Sequence, residues 1–362
     1  MQKAKYDSLF TYLFFLVFAV FLLFYYDYFT LLGLPPVGTH IWRQTDSLSF
    51  AWCYWKNGLD FFHPQILNRS YGNGFAVSEF PVLQYIIAML YSVFGFHWWI
   101  SKTVYALVFF SGLLAIFRIS KYYLKDLFWA FFIAILFFTA PALVFYGSSC
   151  IPDVAALSFS FIGFSFYLDF RTGNRKIVLC ASMFFFCLSG LMKMTYLILF
   201  LASFVSVIIL SIRNTSDRKI PFSEILICLF CVIAINSLWY WWSNHYNNIN
   251  EHIYFLNKTN PIWYESNEKA YIFKRTITEW ALRFFAAPTN YLFLISLLIL
   301  PFGYRKGNKY VCLTSLFLLI ACILYYLLWY LQFLVHDYYT ILFYSLYLFS
   351  FLNLFLFIKK TF

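Results

Sequence analysis

Ten apolar runs, at roughly 9–29, 101–119, 127–146, 153–170, 177–192, 195–212, 222–242, 286–303, 310–331 and 338–358, cut this sequence into pieces of membrane length. About 20 apolar residues in a helix cross the hydrocarbon of a bilayer, because the helix alone satisfies its own backbone polar groups there. Composition agrees, with 63% of residues hydrophobic and 11% charged, where a soluble domain carries roughly a quarter charged. The pattern predicts an all-α polytopic membrane protein with about 10 transmembrane helices. The first run, Leu9 to Tyr26, is too long and aromatic for a cleaved signal and lacks a small-residue cleavage site.

Charge gives these helices a direction. Short basic connections lie between the runs: Arg118, Lys121 and Lys125; Arg171, Arg175 and Lys176; Arg213, Arg218 and Lys219; Arg305, Lys306 and Lys309. Lys3 and Lys5 precede the first run and Lys359 and Lys360 follow the last, so these six segments hold 16 of the 26 Lys and Arg residues. Ten spans put all six on one side, which the positive-inside rule makes cytoplasmic. The reading is an inner (plasma) membrane protein with both termini in the cytoplasm and segments 30–100 and 243–285 outside. The net charge of +11 is scattered over helix ends and forms no stripe for nucleic acid. No repeat and no Pro-rich or Gly/Ser-rich linker divides the chain, so residues 1–362 read as one membrane domain.

The two outer loops carry structure of their own. After Asp46, the residues Leu48, Trp52, Trp55 and Leu59 recur at helical spacing, so 46–58 reads as an interfacial helix ended by Gly58. LDFFHPQI and a glycine-rich YGNG turn follow. The 16 or so apolar residues of SEFPVLQYIIAMLYSVFG are short for a span and read as a re-entrant or interface-lying helix. In the second loop, Ile277, Trp280, Ala281 and Phe284 mark another interfacial helix. Of eight cysteines, six lie inside apolar runs as small hydrophobes, including the Cys228/Cys231 CxxC, which lacks the second pair or nearby His of a metal site. Cys53 and Cys150 fall toward the outer side, and spacing leaves open whether they pair.

Groups capable of chemistry collect on that side: Arg43, Asp46, His63, Glu79, Asp153, Lys193, His336 and Asp337, from four separate outer segments. Each has a plain structural reading. Asp46, Asp153 and Glu79 stand at expected helix starts, where a carboxylate caps free N–H groups. Lys193, between two apolar runs, either snorkels to the interface or serves function, as ionisable groups at that depth do. His336 and Asp337 form either a solvated rim pair or part of a site.

The order of blocks carries a resemblance. HIWRQTDSLSFAWCYWKNGLDFFHPQI, SEFPVLQYIIAMLYSVFG, IPDVAALSFSFIGFSFYL, GLMKMTYLIL and HDYY resemble, in sequence and on one face, the membrane glycosyltransferases of the C-type (GT-C) fold. Within them the chain looks most like bacterial relatives of protein O-mannosyltransferases (family 39) and the lipid A aminoarabinose transferase. The resemblance covers most of 35–200 and thins until 336. It implies a polyprenyl-phosphate sugar donor used on the outer (periplasmic) face, an acceptor hydroxyl, and an essential carboxylate at the position of Asp46. Some relatives have two adjacent acidic residues where Asp46 stands between Thr45 and Ser47, and longer relatives continue past the position of Lys359-Lys360 into further helices and an outer domain.

Residue chemistry fits that expectation. A carboxylate near the acceptor hydroxyl serves as general base, and cations aimed at the phosphate stabilise the leaving group. Asp46 suits the first role. Arg43, through its bidentate fork, and Lys193, as a point charge, suit the second, with His336 and Tyr338 adding contacts to phosphate or sugar. His63, Glu79, Asp153 and Asp337 are supporting candidates. The sequence holds no DxD in a loop and no glycine-rich phosphate loop, so no nucleotide sugar, cofactor or metal is expected. One base predicts inversion at the anomeric carbon. The expected acceptor is an envelope glycan or lipid, with protein as the alternative. A lipid-linked-sugar transporter or flippase is the rival class, although the internal pseudo-symmetry and broken helices of transporters are not evident. A non-catalytic membrane scaffold, which would tolerate loss of Asp46, is a third reading.

Overall fold

The structure, a computed structural model, describes residues 2–69, 73–213, 222–252, 259–264 and 267–361. Arg218, Lys219, and Tyr71 and Gly72 of the expected YGNG turn, fall outside them, as do the side chains of Lys3 and Lys5. In chain order the helices are α1 (Gln2–Tyr25), α2 (Tyr28–Gly33), α3 (Ile41–Asn57), α4 (Val82–Phe94), α5 (Trp98–Leu124), α6 (Leu127–Phe138), α7 (Pro141–Gly147), α8 (Pro152–Gly173), α9 (Lys176–Met192), α10 (Ile198–Ile212), α11 (Phe222–Ile249), α12 (Lys269–Arg275), α13 (Ala281–Phe284), α14 (Ala287–Lys306), α15 (Lys309–Leu328) and α16 (Tyr344–Thr361). Short 3₁₀ segments precede α10 and α16. The chain is a multi-pass, all-α membrane protein.

Among the described residues seven helices are long and apolar enough to cross a bilayer: α5, α8, α10 with its 3₁₀ turn, α11, α14, α15, and α16 with its 3₁₀ turn. The run expected as one span at 127–146 is instead broken, with α6 and α7 meeting at a 70° bend. Pro141 explains the break, since it offers no N–H to continue the α6 ladder. The described apolar part of α1 (Leu9–Tyr25) and α9 are shorter, near the lower end of crossing length. Counting these with the bent pair, each of the ten apolar runs corresponds to a helix. α11 continues to Ile249, well past residue 242.

Small residues let the central helices approach closely, which is how helices pack where the surrounding lipid is as apolar as they are. α8 is buried along most of its length. A Cβ at Gly112 of α5 would meet Ser158 of α8, and one at Gly163 would meet Phe186 of α9. Ser182 and Ser189 of α9 donate to the carbonyls of Gly163 and Ala156 at 2.7 and 2.8 Å, bonding the two helices at points about two turns apart.

The basic connections meet at one end of this bundle. Lys359 donates to the Leu124 carbonyl and Lys360 to that of Gly307, while Arg118 pairs with Asp169 and Arg213 donates to Tyr304. The groups singled out above for their chemistry lie at the other end. There α4, too short to span, packs its buried face (Leu83, Gln84, Ile87, Ala88, Tyr91) against α3 and α5. The expected second-loop helix is α12 and α13 joined through a π-helical turn, Thr276–Trp280, that buries Trp280 and Phe284. All eight cysteines are free, so Cys53 and Cys150 form no disulfide, and both are buried.

Candidate active site

α3 begins five residues earlier than its apolar spacing suggests. Pro35, Pro36 and Gly38 are the last helix breakers before it, and nothing in HIWRQTD stops a helix. His40 takes a left-handed conformation (φ 57°) at the start, and Gln44 bonds back to the carbonyls of Val37 and Thr39 at 3.2 and 3.1 Å. Asp46 therefore caps no helix. It stands in the second turn, buried at 5% exposure, three residues after Arg43 and so on the same face.

Arg43 reaches the loop before α4. Its guanidinium donates to Glu79 at 2.5 Å and to Ser78 at 3.4 Å. Glu79 does not cap α4 either; Ser78 and Gln84 also donate to its carboxylate, Gln84 at 3.0 Å. Gln84 in turn touches Ser47 at 3.0 Å and Tyr105 at 3.4 Å, joining α3, α4 and α5 in one polar network. Burial works against the Arg43 charge, but Glu79, then the Tyr338 hydroxyl and Asp46, outweigh it and raise its pKa.

A second ion pair stands nearby. α9 ends at Met192, and Lys193 adopts extended backbone before the next 3₁₀ turn. Its ammonium donates to Asp153 at 2.8 Å, beside the Tyr196 hydroxyl at 2.9 Å, and lies 3.9 Å from the Tyr339 ring centre. Asp153 is in the first turn of α8 at 1% exposure, yet the cap position is Ile151; the carboxylate is spent on Lys193 and Tyr196. This partnership holds Lys193 at the site in place of a free snorkelling position.

Asp337 forms a hub. It accepts from Tyr146 of α7 at 2.5 Å and from Arg283 of α13, and lies 2.9 Å from His40 Nε2. One buried carboxylate thus ties the first outer loop, the broken span and the second outer loop. The His40, His336 and Tyr338 rings cluster, with centres 4.8 to 5.5 Å apart. His336 Nδ1 is buried with no hydrogen-bond partner among the described residues. Burial pushes His336 down to about 4, helped by His40 and Lys193 and opposed by Asp337, so the ring is neutral near pH 7.

Seven of the eight polar residues singled out by their chemistry, together with Tyr338, thus form one neighbourhood: Arg43, Asp46, Glu79, Asp153, Lys193, His336 and Asp337. His63 stands apart, exposed and paired with Asp60 at 2.7 Å. Sequence reasoning missed His40, Tyr146, Tyr196, Gln84 and Arg283. His40 opens the block HIWRQTD and Arg283 follows the apolar pattern of the second loop, so both were within reach of a closer reading.

No family model matches this chain, and no curated protein does. Among solved structures it is similar to the crystal structure of ArnT from Cupriavidus metallidurans in the apo state, with a TM-score of 0.58 at 12% sequence identity. The match covers 94% of this chain and 59% of that one, so the chain spans less than two thirds of ArnT's length. Ten apolar runs, two structured loops and this likeness together give the chain the all-α GT-C fold that its ordered blocks resemble.

Proposed function

We propose that the protein is a membrane glycosyltransferase that moves one sugar from a polyprenyl phosphate to an acceptor hydroxyl at the end of the bundle opposite its basic connections. The observation that carries this reading is the placement of Asp46, a buried carboxylate one helical turn from Arg43, where Lys193 and His336 also converge. The likeness to ArnT supports it at the level of fold. In the reaction, the acceptor oxygen attacks the anomeric carbon and gives its proton to Asp46. The carbon–oxygen bond to phosphate breaks, and polyprenyl phosphate departs with the electron pair. Displacement by one base on one face inverts the anomeric centre. Arg43 and Lys193 take up the charge of the leaving phosphate. His336, neutral, offers its unpartnered Nδ1 to phosphate or sugar. The basic connections support a position of that end outside the cytoplasm, in an inner membrane, and the proposed acceptor is an envelope glycan or lipid.

The test is Asp46→Asn. Because Asp46 lies inside α3, the exchange keeps shape and helix propensity while removing the base. Transfer by the purified variant is expected to fall by roughly 10²–10⁴-fold with donor binding retained. Wild-type transfer is expected to survive chelation of divalent metal, since Arg43 and Lys193 supply the positive charge. Near-normal turnover by a well-folded Asp46→Asn protein would overturn the assignment.

A further inference from the structure

Away from these ion pairs, the first outer loop and the outer end of α11 enclose a groove of about 580 Å³. One wall is a ladder of rings at helical spacing on α11. Trp242 and Tyr246 lie 5.1 Å apart with planes inclined by 26°, and Trp239 continues the ladder at 4.7 Å from Trp242. Phe62 meets Trp242 edge-on at 6.1 Å, and Phe75 lines the loop side.

Polar groups stand among these rings. Asn73 of the loop donates to Asn250, just past the end of α11, at 3.0 Å, bridging the walls. His63 turns Nδ1 to Asp60 at 2.7 Å. The carboxylate favours a proton on that nitrogen and leaves Nε2 for a ligand.

The mixture selects its occupant. Among the described residues the lining holds no lysine or arginine, so none of them calls for a phosphate. A hydrocarbon tail would desolvate the amides and imidazole without replacing their hydrogen bonds. A sugar ring meets both demands, with an apolar C–H face for the aromatic wall and a rim of hydroxyls for His63, Asn73 and Asn250. We propose that this groove binds a sugar ring of the acceptor, which makes the acceptor a carbohydrate-bearing molecule; this rests on the transferase reading above.

The groove is mechanically joined to the site. Asn247, beside Tyr246, bonds both polar groups of the Val77 backbone, at 2.8 and 2.9 Å. Two residues later the same segment carries Glu79 to Arg43. A ligand in the groove therefore lies against the chain that positions the site.

The experiment uses the full chain in phosphatidylcholine nanodiscs prepared without glycoside detergent. Methyl glycosides of glucose, mannose, galactose and N-acetylglucosamine are titrated by ligand-observed saturation-transfer NMR, and the octyl glycosides of the same sugars report a membrane-borne source. Saturable binding centred on the ring C–H protons is expected for at least one sugar. Trp242→Ala should weaken it about tenfold or more, Trp242→Phe should keep most of it, and exposed His63→Ala should lower it if Trp242→Ala fails to fold. Tighter binding of the octyl form marks a glycolipid source, and equal binding a soluble glycan; either supports the groove. Asp46→Asn should bind like the wild type, so a failed transferase assignment and a failed groove are told apart. Absence of saturable sugar binding, binding unchanged in both Trp242→Ala and His63→Ala, or displacement of the sugar by inorganic phosphate would overturn the proposal.

Discussion

His336 is the residue at which acidity should register. Its ordinary pKa near 6.5 falls to about 4, first by burial and then by the neighbouring His40, Lys193 and Arg43 charges, against the pull of Asp337. Between those two values the unfolded chain takes up a proton that the folded one refuses, so folded stability declines as pH falls from about 6.5 to 4 and the loss is complete below that. Thermal unfolding of the wild type and of His336→Gln from pH 7 to pH 4 checks this. The wild-type midpoint should drop relative to the variant through that window, whereas a gap that does not change with pH would remove His336 as a buried neutral group. The charged members of the site were legible because charge is scarce in this chain: 11% of residues leaves few candidates outside the basic connections. Their tyrosine partners were not. With 30 tyrosines, most packed among apolar side chains, nothing in the sequence separates Tyr146 and Tyr196, whose hydroxyls bind carboxylates, from the rest.

At the scale of elements, Asp337 joins three pieces of chain that share no backbone ladder: the loop before α3, the short helix α7 and the second-loop helix α13. Asp337→Asn leaves Arg283 without its carboxylate and weakens the bonds from Tyr146 and His40. Removing one partner of a buried ionic hub costs on the order of 3–5 kcal/mol, reduced here because Arg283 is itself partly exposed. The expected result is a lower melting temperature and faster tryptic cleavage at Lys274 or Arg275, beside the π-helical turn. Unchanged proteolysis would show that the second loop is held by its other anchors, Arg275 to the Leu334 carbonyl and Trp280 to that of Phe333. The elements were legible where periodicity was long and clean. The start of α3 was misplaced because Asp46 has the chemistry of a cap, and here burial beside Arg43 outcompetes that local preference. The bend between α6 and α7 was signalled by Pro141, which hydropathy alone overlooked.

For the whole molecule, sidedness follows from charge, and labelling tests it. In a protein with the exposed Cys180 and Cys231 replaced by alanine, single cysteines at His97 and Asn267 should react with an impermeant thiol reagent applied outside. Cysteines at Arg175 and Lys306 should react only after the membrane is opened. All four positions are exposed; labelling at Arg175 in intact, outer-membrane-permeabilised cells would reverse the orientation and move the site to the cytoplasm. The overall architecture was the most readable level, since the ten apolar runs reappear as helices and the basic connections touch one another at one end. The convergence of α3, α8, α9 and the 336–338 segment at the other end was readable only through the ordered blocks, because contacts between distant segments leave no local pattern. That convergence also sets a condition for entry. The resting Arg43 already holds an anion of its own, Glu79, so on the proposed reading an incoming lipid phosphate competes with that carboxylate for the guanidinium. A phosphate can make the exchange and an uncharged polyprenol cannot. On the proposed reading, the pair tells a polyprenyl phosphate from an uncharged polyprenol.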